Sequence, residues 1–141
     1  MSRLVPAGSS VVDVGAGGGL PGLAVAILRP DARVTMVEPR AKRVAFLRTA
    51  VRELRLAGTT VFHGRADALG SRGFDVAASR ATFPPDEWFG IGRGLVRPGG
   101  LVLVFAGDVW RPEEPGVGPA KELRYVTATE RNRWIGAFCS T

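Results

Sequence analysis

The sequence predicts an α/β protein with a mostly parallel, seven-stranded sheet and helices on both faces. Short apolar runs alternate with segments of helical periodicity, which is the pattern of repeated β-α-β units. A glycine-rich turn separates the first apolar run from the first helical segment, as in folds that bind ligands at the end of a strand. The last two extended segments, residues 121–126 and 133–138, are predicted to close the sheet as an antiparallel pair.

Composition indicates one soluble domain spanning residues 1–141. The chain has 141 residues, a length sufficient for one hydrophobic core. Of these residues 45% are hydrophobic and 23% are charged, which is ordinary for a globular domain. No apolar run approaches the roughly 20 residues that span a bilayer, and residues 1–6 lack the apolar stretch of a signal peptide. We therefore expect a cytoplasmic protein without membrane contact. Cys139 and His63 are each the single residue of their type, so we expect no disulfide and no metal site.

The net charge of +6 arises mainly from arginine. A basic surface on a small domain favours a polyanionic partner, and the planar guanidinium suits phosphate. A genome rich in G and C gives the alternative explanation, because Ala, Gly, Val, Pro and Arg are all abundant. Charge alone leaves nucleic-acid binding open.

The first strand is predicted at residues 10–14, and the first helix begins near Pro21 and ends before Arg29, since Pro30 cannot continue it. The turn between them has the pattern D-x-G-x-G-x-G, headed by Asp13. A dinucleotide site has the pattern G-x-G-x-x-G, and Leu20 stands at its third glycine. The pattern resembles motif I of class I S-adenosylmethionine (SAM) methyltransferases, in which Asp13 would favour the cofactor's ammonium group. A dinucleotide site and a turn without a ligand are the alternatives.

The second strand is predicted at residues 33–37, with Glu38 at its end. An acid about twenty residues after the glycine turn lies where it can accept hydrogen bonds from ribose hydroxyls. The second helix is predicted at residues 41–56, with Val44, Leu47, Val51 and Leu54 facing the sheet.

The third strand, residues 60–63, leads to Ala66 and Asp67, where an adenine ring would lie. The fourth strand, residues 74–79, follows the switch in strand order and leads to Arg80, so its end opens toward substrate. The next predicted helix begins at residues 84–86 and ends near residue 95. It is followed by a turn at residues 97–100, a fifth strand at residues 101–105 and a loop at residues 108–119.

Several motifs resemble the RsmG (GidB) family, which methylates guanine N7 in small-subunit ribosomal RNA. They occur in family order over about two thirds of the chain. The matching segments are residues 13–22, 29–31, 42–43, 46–48, 65–67 and 79–81, of which Leu-Pro-Gly at 20–22 and Ser-Arg-Ala at 79–81 are the most diagnostic.

The resemblance implies a SAM-dependent methyltransferase with ribosomal RNA or the small ribosomal subunit as its partner. Arg80 is the predicted catalytic residue, and a buried arginine paired with a local acid is its alternative. Guanine N7 carries an exposed lone pair, so the reaction requires no general base. The predicted cofactor-binding residues are Asp13, Gly15, Ala16, Gly17, Gly19, Leu20, Glu38, Pro39, Ala66, Asp67 and Arg80.

Two features differ from the family pattern. Family members carry a helical N-terminal extension, whereas only about nine residues precede the first predicted strand. Family members also tend to have lysine before glycine after the fifth strand, where this chain has Ala106 and Gly107. The alternatives are therefore a SAM-dependent methyltransferase with another substrate, small molecule or nucleic acid, and a SAM-binding module without transferase activity. The sequence does not define the oligomeric state.

Overall fold

The computed structural model describes residues 2–70, 72–114 and 116–140. Their seven strands form one sheet in the order β3-β2-β1-β4-β5-β7-β6. The strands are β1 (Ser10–Val14), β2 (Arg33–Glu38), β3 (Thr59–His63), β4 (Phe74–Ser79), β5 (Val96–Ala106), β6 (Lys121–Val126) and β7 (Asn132–Cys139). The helices are α1 (Gly22–Leu28), α2 (Ala41–Glu53) and α3 (Pro85–Leu95), with short 3-10 helices at Ser2–Leu4 and Ala66–Ala68.

The sheet is parallel from β3 to β5 and antiparallel at its other end. In the centre, Val12 of β1 pairs with Thr35 of β2 on one side and with Ala77 of β4 on the other. Strand β7 runs antiparallel to both β5 and β6. The predicted fold class is confirmed. The strand order reverses between β1 and β4, which is the position where open α/β sheets bind ligands.

Each face of the sheet has its own apolar core, because successive side chains of a strand point to opposite faces. Val11 packs with Leu23 of α1 and Leu47 of α2 on one face. Val12 packs with Trp88 of α3 and with Phe138 on the other face. Leu47 is fully buried, and truncating such a leucine to alanine costs about 2–5 kcal/mol. The two cores fix how the helices sit across the sheet and therefore where the connecting loops meet.

Helix α2 ends earlier than the sequence predicts. It stops at Glu53, and Leu54 is 51% exposed, so the prediction that Leu54 faces the sheet is wrong. Arg55 adopts a positive φ of 54°, which turns the chain out of the helix, and Leu56 packs against the core instead. Tertiary packing at the turn, rather than helical periodicity, decides which leucine packs against the core.

Strand β5 begins at Val96, five residues before the predicted start. Its register with β4 shifts between the pairs Phe74–Val96 and Val76–Leu101, so the predicted turn lies inside the strand as an irregularity. Within the three described ranges, no helix is long and apolar enough to cross a membrane.

Candidate functional site

A cleft of about 490 Å³ lies at the carboxyl edge of the sheet, on either side of the switch in strand order. Its walls come from the turn after β1, the ends of β2 and β3, the loop after β4 and one face of α3. This volume is in the range of small-molecule sites, about 300–1,000 Å³. The cleft is the candidate cofactor site.

Three glycines give the turn after β1 its shape. Gly15, Gly17 and Gly19 have φ values of 72°, 53° and 91°, in the left-handed region that side chains rarely adopt. A Cβ atom on Gly15 would also collide with the side chain of Thr82. The turn can therefore approach the loop after β4 only because Gly15 has no side chain.

Asp13 is buried at the end of β1 and holds the start of α1. Its Oδ2 atom accepts a hydrogen bond of 2.8 Å from the N–H of Gly22, while Oδ1 has no partner within the described residues. Burial raises the pKa of Asp13 to about 7 from its ordinary value of 3.8, and the nearby Glu38 carboxylate acts in the same direction. The Gly22 hydrogen bond and the positive charge of Arg80 oppose this shift. The unpartnered oxygen can accept a further hydrogen bond from a cationic donor.

Glu38, at the end of β2, ties the glycine turn to the start of α2. Its Oε2 atom accepts a hydrogen bond from the N–H of Gly17, and its Oε1 atom accepts one from the N–H of Arg40, both of 2.9 Å. The guanidinium of Arg43 lies 3.9 Å from Oε2. The carboxylate is 2% exposed and does not line the cleft. Each carboxylate oxygen has a second acceptor position, and the predicted bond to ribose stays a prediction.

Four predicted cofactor-binding residues line the cleft. Gly15 stands on the β1 side, and Pro39, Ala66 and Asp67 stand on the β2 and β3 side. The carboxyl ends of three adjacent parallel strands bring these residues together, as their sequence positions indicate.

Other predicted residues lie outside the lining of the cleft. Ala16, Gly17 and Gly19 are in the turn, where the N–H of Gly19 donates to the carbonyl of Ala16 at 2.7 Å. Leu20 is 49% exposed. Asp13 and Glu38 support the turn from below through their hydrogen bonds to backbone N–H groups. The structure thus separates the residues that face the cleft from those that shape the turn.

Arg80 is exposed after β4, so the alternative of a buried arginine is wrong. A side-chain hydrogen bond joins the end of β4 to the end of β1: the hydroxyl of Ser79 donates to the carbonyl of Val14 at 2.8 Å. Ala81 follows with a φ of 57°, a strained value for a residue with a side chain. Because the Ser79 bond joins β4 to β1, Arg80 follows at the sheet edge close to the glycine turn, outside the lining of the cleft.

Sequence reasoning missed the wall formed by the loop after β4 and by α3. Thr82, Phe83, Gly90, Ile91 and Gly94 line the cleft there. Phe83 stacks on the buried ring of Trp88, with centroids 6.1 Å apart and planes 15° from parallel. Gly90 and Gly94 are four residues apart and therefore share one face of α3. This spacing could have indicated a helix face without side chains, where a ligand has room.

The strand order, the glycine turn after β1 and the cleft at the switch point define a protein of the class I methyltransferase fold. A family model described as rRNA small subunit methyltransferase G (GidB) matches residues 1–116. The chain belongs to the GidB family, as its motifs predict.

Two curated relatives carry the name ribosomal RNA small subunit methyltransferase G. The protein from a Nocardioides species is 43% identical over 138 residues, covering 97% of this chain and 55% of the relative. The Thermobifida fusca protein is 39% identical over 132 residues, covering 93% and 53%. The chain therefore spans about half the length of the curated relatives it matches.

A solved structure with the same fold is the O-methyltransferase TomG from Streptomyces achromogenes, determined in complex with SAM. It superposes with a TM-score of 0.69 at 21% identity, over 94% of this chain and 74% of TomG. This likeness concerns the fold.

Proposed function

We propose that this chain is a SAM-dependent methyltransferase that transfers a methyl group to guanine N7 of small-subunit ribosomal RNA. The observation that carries the proposal is the cleft at the switch point, bordered by Gly15, Pro39, Ala66 and Asp67, in a chain of the GidB family. A cytoplasmic location, with the small ribosomal subunit as the partner, follows from such a substrate.

The residues fit SAM on three grounds. The cleft has the volume of a small-molecule site. The glycine turn lets the backbone approach a ligand closely. The unpartnered, buried oxygen of Asp13 is a ready acceptor for an ammonium group.

The proposed binding roles divide along the cleft. The turn from Gly15 to Leu20, with Asp13 beneath it, would hold the amino-acid end. Glu38 and Pro39 would hold the ribose, and Ala66 and Asp67 would border the adenine. When bound, SAM supplies a methyl group already activated by its sulfonium.

The chain itself then has to place guanine N7 in line with that methyl group and exclude water. No residue has to remove a proton, because the N7 lone pair is free at neutral pH. Arg80 is exposed beside the turn, and its guanidinium would contact either the RNA or the cofactor. The chain's net charge of +6 supports an RNA substrate.

Transfer of radiolabelled methyl from SAM tests the proposal. The substrate is small-subunit RNA from cells that lack 7-methylguanine in that RNA, with intact subunits tested in parallel. We expect label in 7-methylguanine. Arg80→Ala should reduce transfer about a hundredfold and leave the fold intact, since the side chain is exposed. Arg33→Ala is the matched control, because Arg33 is an exposed arginine at the start of β2, at the amino edge of the parallel strands opposite the cleft.

Protein that binds S-adenosylhomocysteine but labels no RNA would overturn the proposed substrate. Failure to bind S-adenosylhomocysteine, measured as an unchanged melting temperature, would overturn the proposed cofactor.

A further inference from the structure

A second groove, of about 330 Å³, lies between the segment after β5 and the hairpin of β6 and β7. Its lining includes Val109, Arg124, Tyr125, Val126 and Arg133. None of these residues has a role in the cofactor site. We call it the hairpin groove.

The hairpin groove opens at the same edge of the sheet as the cofactor cleft. Ala106, the last residue of β5, pairs with Trp134 near the start of β7, and Val126 at the end of β6 pairs with Asn132. Strand β7 is two strands away from β4, which carries Arg80 just beyond its end. At about 4.8 Å per strand, that separation is about 10 Å across the sheet, and β6, which carries Arg124 and Tyr125, lies about 14 Å from β4. An RNA strand crossing this edge could therefore lie beside Arg80 and in the hairpin groove at the same time.

The groove presents cationic groups in a form suited to phosphate. The Nη1 atom of Arg133 donates to the carbonyl of Asn132 at 2.9 Å, and no carboxylate in the described residues lies within ion-pair distance of it. Arg124 has a side chain 68% exposed and lies 3.7 Å from Glu122, which occupies part of its fork. Asp108 is the acid among the lining residues. Glu122 also lies 3.4 Å from Arg111, so three arginines stand against two carboxylates and the groove keeps an excess of one positive charge.

An exposed aromatic ring lies next to these charges. Tyr125 is 39% exposed and pairs directly with Arg133 across the antiparallel ladder, so the ring and the guanidinium share one face of the sheet. Arg124 and Val126, the neighbours of Tyr125 in β6, point to the opposite face, so they line the groove from its other side. Val126 and Val109 add exposed apolar surface, at 62% and 44%. Aromatic rings that stack on bases, combined with arginines that contact the backbone, are the means by which proteins hold single-stranded nucleic acid.

We propose that the hairpin groove binds one or two unpaired nucleotides next to the target guanine, with Tyr125 stacking on a base and with Arg124 and Arg133 contacting phosphate. This inference rests on the proposed RNA substrate and extends it to a site distinct from the cofactor cleft. The groove would fix the direction in which the RNA crosses the sheet edge.

Fluorescence anisotropy with a labelled, single-stranded 12-nucleotide RNA containing guanine tests the inference. Tyr125→Ala should raise the Kd about tenfold, at the lower end of the stacking range, and Tyr125→Phe should change it less than about twofold because the ring remains. Replacing Arg124 and Arg133 by alanine should reduce the slope of log K against log salt by about 0.7 for each phosphate that is no longer neutralised. Arg33→Ala, at the opposite edge, should leave the slope unchanged.

The melting temperature and its rise with S-adenosylhomocysteine are measured for every variant, so that a folding defect is recognised. If wild-type protein binds the RNA and the groove variants bind as Arg33→Ala does, the groove inference is overturned while the proposed function stands. If the groove variants lose RNA affinity and wild type labels no RNA, the groove stands as an RNA site and the proposed activity is overturned.

Discussion

The backbone N–H of Gly17 donates a hydrogen bond of 2.9 Å to Oε2 of Glu38, and this bond joins the glycine turn after β1 to the end of β2. The second oxygen of the same carboxylate holds the N–H of Arg40 at the start of α2. One buried side chain thus fixes two loops of the candidate cofactor site relative to each other. The position of Glu38 has a structural consequence whether or not the residue also meets a ribose.

Glu38→Gln should destabilise the protein by about 1–3 kcal/mol. The amide oxygen can accept a hydrogen bond from one backbone N–H, but the NH₂ group then faces the second backbone N–H, which loses its acceptor. Affinity for S-adenosylhomocysteine should fall with it, since the turn loses its anchor. Urea unfolding and calorimetric titration measure the two effects. Glu53→Gln is the control, because Glu53 forms its ion pair with Arg52 on the surface. Equal stability of the two variants would contradict the anchoring role.

Gly15→Ala should unfold or strongly destabilise the turn, since the new methyl group collides with Thr82 and φ is 72°. Strain of this kind costs about 1–3 kcal/mol before the collision is counted. Gly18→Ala is the matched control: a Cβ there meets no atom within 4 Å. Thermal unfolding with and without S-adenosylhomocysteine should separate the variants. An unaltered ligand response in Gly15→Ala would show that the approach of Thr82 is unimportant.

The elevated pKa of Asp13 predicts a specific pH dependence of stability. Because the folded-state pKa of about 7 exceeds the ordinary value of 3.8, the folded protein holds this proton more tightly. The contribution to stability is full below about pH 4 and is lost as the pH rises through about 7, by about 2–3 kcal/mol between pH 5 and pH 8.

Asp13→Asn should remove this slope, since an amide keeps an acceptor for the N–H of Gly22 and does not titrate. The measurement is the difference in the free energy of unfolding between wild type and Asp13→Asn at pH 5, 6, 7 and 8. A difference that stays constant over this range would refute the elevated pKa. All other titrating groups are the same in both proteins, so their titration cancels in the difference.

Gly90→Leu should separate stability from ligand binding. Gly90 lies within α3, lines the cleft and has open space where a Cβ would be. Replacing glycine inside a helix raises stability by about 1 kcal/mol, whereas the added side chain would fill part of the cleft. We expect an equal or higher melting temperature and at least tenfold weaker binding of S-adenosylhomocysteine. Gly90→Ala gains the same helix propensity with less bulk, and it should bind more tightly than Gly90→Leu. Full affinity in Gly90→Leu would place the ligand elsewhere.

Local sequence predicted most of the fold. Val11 and Val12 alternate to opposite faces, and the apolar runs before Glu38 and Arg80 are strands that end at those residues or just before them. The predicted end of α2 was wrong: Leu54 continues the helical period, but the helix stops at Glu53 and the chain turns away at Arg55.

The candidate site was predicted in part. Gly15, Pro39, Ala66 and Asp67 follow strands of a parallel sheet, and the ends of adjacent parallel strands meet at one edge. Thr82 and Ile91 escaped prediction because their place depends on how α3 crosses the sheet, and no local pattern encodes that crossing.

The sequence by itself determined the order of strands and helices, the glycine turn and the family motifs, because each depends on residues close together in the chain. The tertiary structure alone decided that Glu38 turns inward to bind Gly17 and Arg40, that Asp13 is buried with one oxygen unpartnered among the described residues, and that Tyr125 stands opposite Arg133. These relationships join residues that are brought together by sheet register and by burial. Both are set by the packing of the whole chain, since hydrogen-bonded pairing and the exclusion of water act between distant segments.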